Sequence, residues 1–138
     1  MISLEKGNKA DLAAIKETMK QFAVAINAGD LDRWISLWTD DGIQMPPDTP
    51  ARVGKEEIRV GMKTAFDQFI LNMVITNKEL RQSGDLGFAR GTYTESLVPK
   101  AGGDREEYDG KYLTILERQA DGSWKVARDC FNSNVPET

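Results

Sequence analysis

Asp40 and Asp41 stand side by side just before Gly42. Two adjacent carboxylates can do acid–base work when their surroundings separate their affinities for a proton, and they can also bind a hard cation. The plainer reading is a polar turn, because Asp-Gly turns a chain readily. Arg90, Lys111 and Arg128 form a second group: each lies inside an alternating, strand-like run and not in a turn. A cation that faces a protein interior needs a partner or a ligand, since an unpaired buried charge is costly. Glu95, Asp109 and Asp129 are the available partners. An Arg–Asp pair in a half-apolar cavity could orient water or hold a carboxylate, and the alternative is an ion pair on an outer face. Trp38, Met45 and Tyr112 are large side chains suited to lining an apolar pocket or to filling a core. Asn132 closes the last strand-like run, where its amide could close a pocket or cap the strand. Asp40, Arg90, Tyr112 and Arg128 are the candidate catalytic residues. Trp38, Met45, Arg90, Lys111, Tyr112, Arg128 and Asn132 are the candidate ligand-binding set.

What the chain lacks narrows the chemistry further. It has no histidine and a single cysteine, Cys130. Ser-His-Asp and Cys-His arrangements, histidine metal sites and zinc–thiolate sites cannot be built from it. Walker-type and GxGxxG phosphate loops are absent, so no cofactor or metal is expected. Cys130 has no residue to activate it as a nucleophile and reads as a small buried side chain. The net charge of −4 and the absence of a dense basic block argue against nucleic acid. No apolar run approaches the roughly 20 residues of a membrane span, and the first residues carry no signal-peptide pattern. A lone cysteine suits a reducing compartment, so a cytoplasmic protein without membrane contact is expected.

The elements that must position these residues are legible in the hydrophobic pattern. The 138 residues suit one domain with a real core. Leu12, Ile15, Met19, Phe22 and Ile26 recur at three and four, which marks an amphipathic helix over 9–28. Asn8 is placed to cap it, and Gly29 supplies the positive φ that ends it. Asp30 then caps a second helix whose apolar face is Leu31, Trp34, Ile35 and Trp38, ending near Thr39–Gly42. A short extended segment, 42–45, runs into Pro46-Pro47. Gly54 precedes a third helix, KEEIRVGMKTAFDQFI, with Ile58, Met62, Ala65, Phe66 and Phe69 on one side. After residue 71 the period changes to two, with strands expected over about 73–82, 87–98, 106–119 and 123–132. Short turns between them imply antiparallel pairing, and helices before strands give an α+β layout. In the last strand, Trp124, Val126, Arg128 and Cys130 are expected on one side, with Lys125, Ala127, Asp129 and Phe131 on the other. Neither side of the strands is cleanly polar, so one face should cover the helices and the other a partner.

FAVAINAGDLDRWISLWTDDGIQMPPDTPARVGKEEIRVGM resembles the start of the NTF2-like superfamily, closest to its SnoaL-like and DUF4440 group. GDLGFARGTYTESL and GKYLTILERQADGSWKVARDCFNSN also resemble that group, and the resemblance spans about residues 8–134 of a single domain, 1–138. It implies a cystatin-like cone: three N-terminal helices packed on a strongly curved, mostly antiparallel sheet around a pocket. It also implies a homodimer through the outer sheet face. Steroid isomerases in this superfamily use a tyrosine on the first helix, an aspartate after the second and a further acid in the penultimate long strand. The matching positions here are Phe22, Met45-Pro46 and about Lys111, so their proton-shuttling set is absent. The expected function is binding of a small organic molecule in an apolar pocket. Cofactor-free hydrolysis, dehydration or isomerisation is the chemistry open to such a pocket. The alternative is a non-catalytic binding or assembly module.

Overall fold

The computed structural model describes residues 4–135, so the outermost residues of the 1–138 span fall outside the described part. Helix α1 (Lys9–Asn27) starts where Asn8 was expected to cap it: the Asn8 side-chain oxygen accepts from the amides of Ala10 and Asp11. It ends at Gly29, whose φ of 66° no β-carbon opposes. Asp30 caps α2 (Leu31–Ile35) by accepting from the Arg33 amide at 3.1 Å. The Asn27 side chain then clamps the backbone of Met73, donating to its carbonyl and accepting from its amide. The corner between the two helices thus ties the end of α1 to the sheet.

The second helix is shorter than the apolar spacing predicts. It stops at Ile35, and strand β2 (Trp38–Met45) begins where the helix was expected to continue. Sheet pairing decides this: Trp38 sits in parallel register with Val126, and the Val126 amide donates to the Leu37 carbonyl at 2.8 Å. Helix α3 (Lys55–Gln68) follows Gly54 as expected, with Ile58 and Phe66 buried. Phe69 belongs to the strand after it and not to its apolar side.

Among the described residues the sheet has seven strands, not the four long ones and one short segment that alternation predicts. The additions are β1 (Leu4–Lys6) and β3 (Arg52–Val53) at its edges. The four long strands, β4 (Phe69–Ser83), β5 (Leu86–Pro99), β6 (Glu106–Arg118) and β7 (Trp124–Ser133), pair antiparallel in sequence order. Two parallel pairings, β1 with β4 and β2 with β7, make the sheet mixed. Its order is β1-β4-β5-β6-β7-β2-β3, open at both ends. The helices lie on one face, over a core that includes Ile15, Met19, Trp34, Trp38, Leu80, Leu116 and Val126.

Two bulges decide which side chains reach that core. In β4 the register slips between Asn77 and Glu79. In β7 it slips between Val126 and Arg128, leaving Ala127 as an extra residue. A bulge of this kind re-aims the residues beyond it. Trp124 and Val126 therefore share the buried face with Ala127 and Asp129, while Arg128 and Cys130 fall on the other. The strict alternation expected for β7 fails at this point, and Cys130 is exposed instead of buried.

Candidate functional site

Between the helices and the sheet lies a cavity of about 90 Å³. Met19, Phe22 and Ile26 of α1, Trp34 of α2, and Met62 and Ala65 of α3 form one wall. Leu71, Met73 and Ile75 of β4 form another. The polar groups come from the strands: Gln44, Tyr93, Glu95, Tyr112, Thr114 and Asp129. Drug-sized ligands occupy several hundred Å³. This cavity suits a smaller molecule, and its three methionines are the side chains best able to yield to one.

Two glycines let the tyrosines take their places. Gly91 pairs across the strands with Tyr112, and Gly110 with Tyr93. A β-carbon on Gly91 would overlap the Thr76 carbonyl oxygen and lie 2.8 Å from Tyr112 Oη. One on Gly110 would overlap the Asn132 carbonyl and lie 2.6 Å from Tyr93 Oη. Each ring therefore covers a bare stretch of backbone. The Tyr112 hydroxyl donates to Asn77 Oδ1. Burial, with the Asp129 charge as a smaller contribution, raises its proton affinity. Burial likewise pushes Tyr93 up to about 12, helped by the charges of Glu95, Asp129 and Asp109. Both hydroxyls stay protonated near neutral pH.

Asp129 is the most deeply placed acid. It is 6% exposed, and its Oδ1 accepts from Thr114 Oγ1 at 2.8 Å. Burial pushes its carboxyl up to about 6, against the smaller opposing effect of that hydrogen bond. Across the parallel pairing stands Gln44, 2% exposed. Arg52 Nη1 donates to Gln44 Oε1 at 2.7 Å and to Met62 Sδ at 3.3 Å. Arginine can only donate, so the amide oxygen must face it and the Gln44 NH₂ remains to serve as a donor. Arg52 lies over Gly61, where any β-carbon would overlap its guanidinium. Glu95 is half-buried and lines both the cavity and a groove beside Asn72, Val74, Thr94 and Ser96, which places it at the rim. Desolvation alone pushes its carboxyl up to about 7. Trp34 lines the cavity at 1% exposure, and its indole N–H has no hydrogen-bond partner among the described residues.

Of the residues expected to form the site, Tyr112 lies in the cavity wall and the others do not. Trp38 is fully buried behind Trp34, with ring centroids 5.5 Å apart. Met45 is 37% exposed and lies outside the cavity wall. Asp40 is exposed and 3.9 Å from Lys55 Nζ. Arg90 pairs with Glu79 at 2.7 Å, and Lys111 donates to Asn134, both on the face away from the helices. Asn132 is exposed on that face too. Arg128 also points outward, where its Nη1 donates to the carbonyls of Asp41 and Ala127. Those carbonyls sit in the irregular stretches of β2 and β7, so Arg128 braces the bulge that aims Asp129 inward. In the sequence, Glu95 and Asp129 stand out only as partners for these cations. The signal for their true place is that each shares a side with small or aromatic residues: Ala89, Gly91 and Tyr93 for one, Ala127 and Phe131 for the other.

No helix among the described residues is long and apolar enough to cross a membrane. Nor do three or more of the described His, Cys, Asp and Glu side chains gather to hold a metal ion. A ketosteroid isomerase-like protein from Erwinia carotovora atroseptica SCRI1043 superposes with a TM-score of 0.84 at 32% identity, covering 94% of this chain and 100% of that one. A conserved protein from Planctomyces limnophilus DSM 3776 superposes at 0.83 with 26% identity, covering 89% and 95%. An NTF2-like superfamily protein from Salmonella enterica serovar Typhimurium LT2 shares the fold at 0.82 with 12% identity, covering 95% and 96%. A search of curated proteins gives no match. The SnoaL-like domain model matches residues 19–127, which span both walls of the cavity except the strand segment beyond the β7 bulge. With the neighbours' shared architecture, that match makes this chain a member of the SnoaL-like domain family, within the NTF2-like superfamily.

Proposed function

We propose that the helices and the bulged sheet form a cone around a small, mainly apolar organic molecule, and that the chemistry performed there is cofactor-free proton transfer of the isomerase or dehydratase kind. The observation that carries this reading is Asp129: a buried carboxyl on the cavity wall whose proton affinity is raised to about 6. A base poised near the working pH moves protons efficiently. Thr114 holds the carboxyl in place, and the Gln44 NH₂, fixed by Arg52, is available to polarise a substrate oxygen. The Erwinia neighbour is described as ketosteroid isomerase-like. Here, however, Phe22 supplies no phenol to the cavity, and about 90 Å³ is too small for a four-ring steroid. The substrate is therefore of single-ring size or smaller.

A carbon acid of that size tests the reading. With cyclopentanone in deuterated water, the protein should speed deuterium uptake at the α-carbon, and Asp129→Asn should lower that rate about 100-fold. Equal exchange by both proteins would remove the catalytic reading and leave the binding module.

The assembly alternative draws support from another feature. Ile70, Val74 and Leu113 are 58%, 58% and 47% exposed on the sheet face away from the helices. We infer a homodimer across that face, which light scattering would detect as a doubled mass. The lone exposed Cys130 suits a reducing, cytoplasmic setting.

A further inference from the structure

We propose that the molecule bound in the cavity is a small organic amine, its ammonium set against Glu95 at the rim and its apolar body among the aromatic and methionine side chains. This rests on the ligand-binding reading above and adds the charge of the ligand to it.

The charge balance of the wall is one-sided. Its ionisable side chains are Glu95, Asp129, Tyr93 and Tyr112, all of them acids, with no lysine or arginine among the lining residues. The neighbouring cations are engaged elsewhere. Arg52 donates to Gln44 and Met62. Lys100 Nζ donates to the Phe66 carbonyl, and Arg105 pairs with Glu107 at 3.0 Å. Asp129 has Thr114, whereas the Glu95 carboxyl has neither hydrogen bond nor ion pair among the described residues. A carboxylate in that position is costly until a cation meets it. The rings beside it strengthen the preference. Phe22, Trp34, Tyr93, Tyr112 and Phe131 line the same cavity, and aromatic faces attract cations and repel anions. A carboxylate ligand, the guest expected from strand arginines, would meet two acids and no cation. The division of labour follows: Glu95 holds the ammonium, and Asp129 is left to handle a proton.

Binding should also depend on pH. The groups facing Glu95 are Met73 of β4 and Tyr108 of β6 in register with it, and Tyr93 on its own strand. Across the groove stand Arg105, Glu107 and Asp109. Asp129 lines the same cavity, and its charge and that of Glu95 both act on Tyr93. An amine that stays protonated throughout must displace the Glu95 proton to bind at low pH, so its affinity should rise from pH 5.5 to pH 8.

Benzylamine, benzyl alcohol and benzoate have nearly the same shape and differ in charge. Titrated into the full-length protein at pH 8, with methionine methyl resonances as the readout, the amine should bind at least tenfold tighter than the alcohol. Benzoate should bind more weakly than either. Glu95→Gln should bring the amine's affinity to within about threefold of the alcohol's. In the native protein the amine should lose about tenfold or more at pH 5.5, and the alcohol should not. If the alcohol or benzoate equals the amine, the amine assignment falls and the cavity reading stands. If the tenfold preference survives in Glu95→Gln, the Glu95 assignment falls. If none of the three binds, both this inference and the reading beneath it are overturned.

Discussion

Asp129→Asn is expected to make the protein more stable at pH 8, by about 2 kcal/mol, and no more stable at pH 4. In the folded chain the Asp129 carboxyl is raised from an ordinary 3.8 to about 6 by burial. A carboxyl with a raised folded value binds more protons in the native state than in the unfolded one. Its favourable contribution is therefore complete below about 3.8 and is lost as the pH climbs through about 6. A shift of about two units corresponds to roughly 3 kcal/mol. Asparagine avoids that cost, since it is neutral at every pH and can still accept from Thr114. Its second N–H needs a partner that a protonated carboxyl does not, which gives back about 1 kcal/mol. Urea unfolding at pH 8 and pH 4 checks the result, with an unchanged slope showing that only stability has moved. Glu95 shifts in the same direction, from 4.5 to about 7, so the native protein should gain stability as the pH falls from 8 to 5. A variant that gains stability at pH 8 while losing proton-transfer activity would mark Asp129 as a group retained at a cost to the fold.

Gly91→Ala should lower stability by at least about 3 kcal/mol, a drop of roughly 10 °C in Tm for a chain of this length. The obstacle is backbone: the new methyl would overlap the Thr76 carbonyl oxygen on β4. A flexible side chain could swing away, but this oxygen cannot move without displacing the strand that carries it. The methyl would also press on Tyr112 Oη, at 2.8 Å, and shift the hydroxyl that donates to Asn77. Gly54→Ala is the natural contrast. Nothing lies within 4 Å of its added methyl, so only its φ of 93° opposes the change. Melting curves of the two variants separate overlap from backbone strain, and equal losses would contradict the account of Gly91.

Much of this architecture could be anticipated from local physics. Asn8, Gly29 and Asp30 act through neighbours two or three residues away, so their roles at the α1–α2 corner are visible in the chain itself. The four long strands were legible from their period and their Gly-containing turns. The end of α2 was not, because Trp38 satisfies helical spacing with Leu31, Trp34 and Ile35 equally well. The preference for strand comes from Val126, almost ninety residues away. The site was lost for a related reason. Alternation separates Arg90 from Glu95 and Arg128 from Asp129 but does not say which side faces inward. The strand cations lie on the outer one. In β7 the Ala127 bulge then breaks the alternation itself, and nothing in KVARDCF announces it.

The cavity is expected to hold carboxyl groups that exchange protons near neutral pH with no cation among the described residues to pair with them. Carbon-13 NMR of the carboxyl resonances across pH 3–9 tests it most directly, with Asp129→Asn and Glu95→Gln providing the assignments. One carboxyl should titrate near 6 and one near 7, each signal vanishing in its own variant. Titration of both groups at the ordinary 3.8 and 4.5 would contradict it.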